Sequence, residues 1–406
     1  MELTRKQLLA GAAAAGLVAG CGGSPKQRAV LDPGDWASVK AQFVLDPEVR
    51  HFDAFVLASH PRPVRAAVER HRRGLDADTA AYLHAHEAKL DGRVAAAAAR
   101  YLEVQPDDLA FTDSTTMGLG LVYGGARVDG EIVSTEHDFY ATHESLRLRF
   151  GRFRQIRLYD DPASATADGI VEAVKRGIGR RAGLLALTWV HSGTGVKLPL
   201  AAIGQALEAE RRNGLLLVVD GVHGLAADDE PVRIEACDVL IAGCHKWLGG
   251  PRGTGLVWTS NAWDRLRPTI PSFHSKDSAS AATFTPGGYH SFEHRWALAE
   301  AFEFHSELGR TRVAERVRAL ATRLKEGLAD IPRVRLATPM SPDVSAGIVC
   351  FDVDGLDAPT AVERLRAEHR VAASVTPYAV QHVRLGTGVW VDEADVDAAV
   401  KAISHL

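Results

Sequence analysis

Short strand-length runs, several of them unbroken apolar, alternate along this chain with stretches whose apolar positions recur at helical spacing. The runs fall at 109–112, 131–135, 155–158, 184–188, 215–219, 239–242 and 255–258, and helical patterns at 170–178 and 200–213 lie between several of them. A strand that is apolar at every position is buried on both faces. The alternation therefore predicts an α/β fold with a mostly parallel central sheet covered by helices. Upstream, 51–58 is a short apolar segment, and Pro61-Arg62-Pro63 opens a helix with Val64, Val68 and His71 on one face. A second helix is expected over 90–102. The tail changes character: long helices at 292–309 and 313–331, strands at 346–353 and 383–386, and helices at 358–369 and 392–406. The expected division is a segment 32–58 packing on the small domain, a large domain over 59–290, and a smaller α+β C-terminal domain over 291–406.

Sheets of this kind bind ligands at the carboxyl ends of their strands. Thr115, His137, Ser192, Asp220 and Lys246 all fall there. Lys246 follows an apolar strand directly and precedes a glycine-rich turn, 249–255. Desolvation lowers a lysine's pKa, and a neutral amine attacks carbonyls, so Lys246 is the candidate Schiff-base lysine. Asp220 ends the run 215–219. A carboxylate there needs a partner: alone it reads equally as a helix N-cap or a metal ligand, and together with Lys246 as the partner of a protonated pyridine nitrogen. His223, one turn on, is placed to reach a ring substituent or the substrate. The hydroxyls of Thr115 and Thr116 at a helix start suit a phosphate, although such residues alone are an N-cap. His137 suits stacking on a planar cofactor, with Phe139 and Tyr140 as rivals. Ser192, in the turn 190–195, could bond a phenolic oxygen, and Arg384, on a short apolar strand, suits a carboxylate.

Composition narrows the class. The 406 residues are 46% hydrophobic and 24% charged, which excludes disorder as the main state. The net charge of -4 gives no electrostatic case for nucleic acid. The four cysteines, Cys21, Cys237, Cys244 and Cys350, form no CxxC pair, so neither a zinc site nor a disulfide framework is expected, and no metal is assigned. Residues 1–21 read as an exported leader: Arg5 and Lys6, then an apolar run, then Leu17-Val18-Ala19-Gly20-Cys21, which looks like a bacterial lipobox. Thr4-Arg5-Lys6-Gln7-Leu8-Leu9 resembles a twin-arginine signal with lysine in the second position. Lipidation at Cys21, a tether over 22–31, membrane attachment and a cell-envelope location follow as expectations.

Val219-Asp220-Gly221-Val222-His223 and Gly243-Cys244-His245-Lys246-Trp247-Leu248-Gly249-Gly250-Pro251 resemble the class V aminotransferase family of fold-type I enzymes, which use pyridoxal 5′-phosphate (PLP). Thr115-Thr116, Glu136-His137 and Val383-Arg384 appear in the expected order, and the resemblance spans roughly 50–400. It implies that Lys246 forms the internal aldimine, that Asp220 pairs with the pyridine nitrogen and that His137 stacks on the ring. It implies too that Thr115, Thr116 and His245 hold the phosphate, and that Arg384 holds the substrate's α-carboxylate. Gly243 stands where the family often has serine, and Ser192 where related enzymes carry asparagine near the phenolic oxygen. Thr285-Pro286-Gly287-Gly288 resembles the loop that reaches a partner subunit's phosphate, implying a homodimer. Residues 371–376 lack the nucleophilic cysteine of desulfurases. Residues 134–149 and 292–309 resemble the isopenicillin N epimerase-like branch. That branch implies chemistry at Cα of an amino acid or amino-acid-containing compound. Aminotransferase and C–S or sulfoxide lyase reactions are the alternatives, and a non-catalytic exported binding protein is the competing class. Epimerisation needs a second acid, for which Tyr140, His60 and His223 are candidates; His60 and Tyr140 are also placed at the substrate entrance.

Overall fold

The computed structural model describes residues 30–231, 233, 235–274 and 280–406. The expected leader, the lipidation site Cys21 and most of the tether lie outside the described residues.

Seven strands build the central sheet: β1 (Leu109–Thr112), β2 (Glu131–Thr135), β3 (Arg154–Ile156), β4 (Ala182–Thr188), β5 (Leu216–Asp220), β6 (Val239–Gly243) and β7 (Gly255–Trp258). Their order is β1-β7-β6-β5-β4-β2-β3. Neighbours from β6 to β3 pair in parallel, whereas β7 runs antiparallel to both β6 and β1. The direction of β7 follows from its link. Residues 244–254 contain no helix, and a chain without a helical crossover returns as a hairpin. Every residue of β1, β5, β6 and β7 is buried. Side chains alternate between two cores: Leu217, Val219 and Leu240 enter one, Val218, Ile241 and Val257 the other.

Helix α1 (Arg62–Ala77) starts behind Pro61. Helix α2 (Thr79–Leu102) begins well before the expected residue 90, because the Asp78 carboxylate caps it by accepting from Ala81 N. Residues 79–89 are mostly exposed, so no apolar period marked them. Helix α3 (Thr115–Gly125) follows β1, and α4 (Tyr140–Phe150) follows β2. The helix expected over 200–213 is two, Leu200–Ala206 and Glu208–Arg212, parted at Leu207. Helix α5 (Phe292–Leu308) lies along α1 and α2. Arg70 and Arg93 each reach Glu300 at 2.9 Å, and Trp296 Nε1 donates to Asp91 at 3.0 Å.

After α6 (Arg310–Ala329), strands β8 (Val334–Leu336), β9 (Ile348–Val353), β10 (Ser374–Val375) and β11 (Val383–Gly386) form an antiparallel sheet in the order β10-β11-β9-β8. The N-terminal segment docks on this part. Arg50 and His51 pair in parallel with Val371 and Ala372, and Gly386 N donates to Phe52 O at 2.7 Å. Gly386 must be bare here, since a Cβ would stand 2.1 Å from the Phe55 ring. That close approach seats Phe55 in the interior, next to the end of β11.

Candidate active site

The carboxyl ends of β5 and β6 place a carboxylate and an amine in one enclosed space. Asp220, 1% exposed, accepts from Val222 N at 3.0 Å. Register sets it beside Thr188 on β4 and Ile241 on β6. Just past β6, Lys246 Nζ lies 3.1 Å from His223 Nε2, and His223 Nδ1 accepts from Trp247 Nε1 at 3.2 Å. Burial pushes the Asp220 carboxyl up and draws the Lys246 amine down, and each group's attraction for the other opposes its shift. A second buried lysine shows the contrast. Burial also lowers Lys325, to about 8, but its ammonium donates to Pro339 O, Met340 O and Ser345 Oγ. Lys325 is satisfied by the fold, whereas the only partner of the Lys246 nitrogen among the described residues is an imidazole.

A polar cradle lies alongside. Thr115 opens α3, where Ser114 Oγ accepts from Met117 N and the first-turn amides have no helical acceptor. Thr115 Oγ1 and His245 Nδ1 are both buried without a hydrogen-bond partner among the described residues. They flank Gly243: a Cβ there would stand 2.8 Å from Thr115 Oγ1 and 3.0 Å from His245 Cε1. Thr116, the next residue of α3, is exposed.

Aromatic rings and an arginine close the other sides. Asp138 Oδ2 accepts from Ser134 Oγ, Thr135 N and Thr135 Oγ1, which folds the turn after β2 and presents His137. One face of the His137 ring stacks on Tyr159, 3.9 Å away at 16°, leaving a single face for a planar ligand. Its Nε2 accepts from Leu158 N at 3.2 Å. Tyr159 OH contacts His191 Nδ1 at 2.9 Å. Ser192 Oγ is bound to Tyr378 OH at 2.7 Å, and Ser192 O accepts from Arg384 Nη1 at 3.0 Å. Arg384 Nε donates to Ser374 Oγ, and its guanidinium sits 4.9 Å over the Phe55 ring. Arg384 is buried, yet no carboxylate among the described residues pairs with it. A buried cation without a counter-charge is costly, which marks a place for an anion.

Lys246, Asp220, His223, His245, Thr115, Ser192 and Arg384 thus occupy linked positions around these strand ends, with His137 on the aromatic side. Other expected residues lie elsewhere. His60 faces Arg252 and His294, and burial lowers it to about 4. Tyr140 is 59% exposed at the start of α4, against Phe139. Thr285 Oγ1 accepts from Phe111 N at 3.1 Å, covering the free edge of β1. Gly287 is exposed, with its N–H donating to Pro271 O, and Gly288 takes φ +96°. Tyr378, Tyr159, His191 and Phe55 were not singled out from the sequence. Tyr378 lies in a loop without periodicity, and Phe55 showed only as part of an apolar run.

A family model described as Aminotransferase class-V matches residues 69–398. The chain belongs to that family. An isopenicillin N epimerase of Streptomyces clavuligerus is 28% identical over 401 residues, 92% of this chain and 98% of that protein. One of Amycolatopsis lactamdurans is 28% identical over 344 residues, 78% and 84% of the two chains. Among solved structures, a C-DES mutant with glycine covalently linked to its PLP cofactor has a TM-score of 0.79 at 20% identity, covering 90% of this chain and 98% of that one. At that identity the likeness shows the fold, which is fold-type I. Family membership makes the protein an enzyme with PLP as its cofactor, and nothing in the comparisons favours the non-catalytic alternative.

The residues present fit that cofactor. Two orphaned polar atoms and the start of α3 suit a phosphate, Asp220 a ring nitrogen, and Lys246 an aldehyde. Gly243→Ala puts a methyl group against Thr115 Oγ1 and His245 without supplying a hydroxyl in exchange. Displacing one such hydrogen-bonding group weakens PLP retention about tenfold, or about 1.4 kcal/mol. Equilibrium dialysis of the variant checks this, and unchanged affinity would remove Thr115 and His245 from the phosphate site.

Proposed function

We propose that the protein acts at Cα of an amino acid or amino-acid-containing compound as an isopenicillin N epimerase-like enzyme, returning the Cα hydrogen on the opposite face. The observation that carries this reading is the buried Arg384, with no carboxylate partner among the described residues, in the same site as the Lys246 amine and Asp220. The two epimerase relatives, covered over 98% and 84% of their lengths, support it.

The bound cofactor supplies an electron sink that makes the Cα hydrogen acidic. Arg384 holds the substrate carboxylate and so fixes where Cα stands. Lys246, drawn toward the neutral amine by burial, takes the Cα proton. Asp220 keeps a counter-charge for the cofactor's ring nitrogen. His137, one face backed by Tyr159, would offer its other face to the cofactor's ring. We assign the second acid to Tyr378. Burial raises its phenol and keeps it protonated, and its hydroxyl is anchored on Ser192, whose carbonyl binds Arg384. His60 and Tyr140, considered for that role, lie outside this cluster.

Persulfide chemistry has no support among the described residues. Cys237, Cys244 and Cys350 are all buried. Burial pushes the Cys350 and Cys244 thiols up to about 12, the reverse of what a sulfur nucleophile needs.

A homodimer belongs to the same proposal. Phe273 and Tyr289, 81% and 88% exposed, flank the 285–288 loop, where Gly287 abuts Phe273. Such aromatics suit an interface. Sedimentation at twice the 43.6 kDa chain mass supports this, and a monomer at micromolar concentration contradicts it.

The reaction is tested by incubating the holoenzyme with candidate amino acids and penicillin-type peptides in deuterated water. Deuterium at Cα with inversion and no keto acid is expected. Keto acid would make the protein an aminotransferase, and released pyruvate or ammonia a lyase. Tyr378→Phe should still exchange the Cα hydrogen of one enantiomer while interconversion falls by about 100-fold, the usual contribution of a positioned acid. Equal exchange from both enantiomers in that variant would sink the Tyr378 assignment.

A further inference from the structure

We propose that Trp247 is a positioning residue: its indole N–H fixes the tautomer of His223, and the His223 Nε2–H so defined holds Lys246 as the neutral, nucleophilic amine. The inference rests on Lys246 being the lysine that captures the cofactor.

Two contacts fix where the imidazole proton sits. An indole N–H only donates, so His223 Nδ1, 3.2 Å from Trp247 Nε1, must present its lone pair. Burial keeps that imidazole neutral. Its single proton therefore sits on Nε2. Nε2 is 3.1 Å from Lys246 Nζ. An ammonium at that distance would set two donors against each other. An amine offers the lone pair that the contact requires. With the other tautomer, Nε2 would accept instead, and the same contact would favour the ammonium.

Packing removes Trp247's freedom to release Nδ1. The indole is 2% exposed and stacks on Phe55 at 5.5 Å and 22°. Its far edge presses on Gly347, where a Cβ would stand 2.6 Å away. Phe55 also meets the His223 ring edge-on at 5.9 Å. The tautomer is thus set by the core and not by the pH of the medium. Other groups facing the amine act in both directions. Asp220 draws the proton back, Arg384 drives it off, and His245, kept neutral by burial, stands nearby. The Trp247–His223 contact tips this balance toward the amine.

The test uses the full-length protein, stripped of cofactor with hydroxylamine and remixed with PLP across a pH series. The rate at which the visible band appears reports the fraction of Lys246 present as amine. In Trp247→Phe the pH of half-maximal capture should rise by about one unit, which is about tenfold slower capture at neutral pH. A second pair decides the matter should that variant fold poorly. His223→Gln keeps an acceptor for Trp247 and a donor for Lys246, and should retain the parent profile. His223→Glu only accepts, and should move the profile upward. Coinciding profiles for the parent and Trp247→Phe, or for His223→Gln and His223→Glu, would overturn the proposal. Lys246→Ala, run in parallel, should form no band. A band there would remove the lysine assignment itself, a failure separate from coinciding profiles.

Discussion

One desolvated amine at the strand ends organises this molecule. Lys246 leaves the end of β6 at the point where the sheet, the N-terminal segment and the C-terminal part meet. Enclosure alone would leave it an unfavourable buried cation. Three constraints make its position useful. Strand β5 ends one strand away in Asp220, so a compensating charge is within reach. The helix-free link 244–254 turns back as a hairpin and holds the His245-Lys246-Trp247 triplet at the carboxyl end of β6. Phe55, seated by the bare Gly386, backs Trp247, His223 and Arg384 at once.

The two buried lysines separate structure from chemistry. Both are drawn down by desolvation, but Lys325 spends all three hydrogens on acceptors at Pro339, Met340 and Ser345. Lys246 meets a nitrogen that is itself held as a donor. The same distinction applies to arginine. Arg70 and Arg93 neutralise Glu300, whereas Arg384 is buried over an aromatic ring with no carboxylate partner among the described residues. Groups gathered at these strand ends without a partner among the described residues mark where a ligand completes the structure.

Much of this was legible in the letters, for a physical reason. Strands buried on both faces read as unbroken apolar runs, so β1, β5, β6 and β7 stood out, and Asp220 and Lys246 were conspicuous as charges at their ends. The first half of α2 was invisible because its residues face water and its start depends on the Asp78 cap. The break at Leu207 and the reversal of β7 are consequences of packing and linkage, which periodicity does not encode. His60 and Tyr140 carried suitable chemistry but sit on the Arg252 side and on the surface. Tyr378 reaches the site from a loop between two short strands, through a contact with Ser192 that spans 186 residues. The cofactor is therefore better defined by sequence than the reaction, because the cofactor is held by strand ends and the reaction is decided by loops.

The account stands or falls on Lys246. Borohydride reduction of the holoenzyme, followed by proteolysis and peptide mass mapping, tests it most directly. The account predicts the cofactor's added mass on the peptide that contains Lys246 and on no other. Finding it on a different lysine, Lys325 included, or on none, would contradict it.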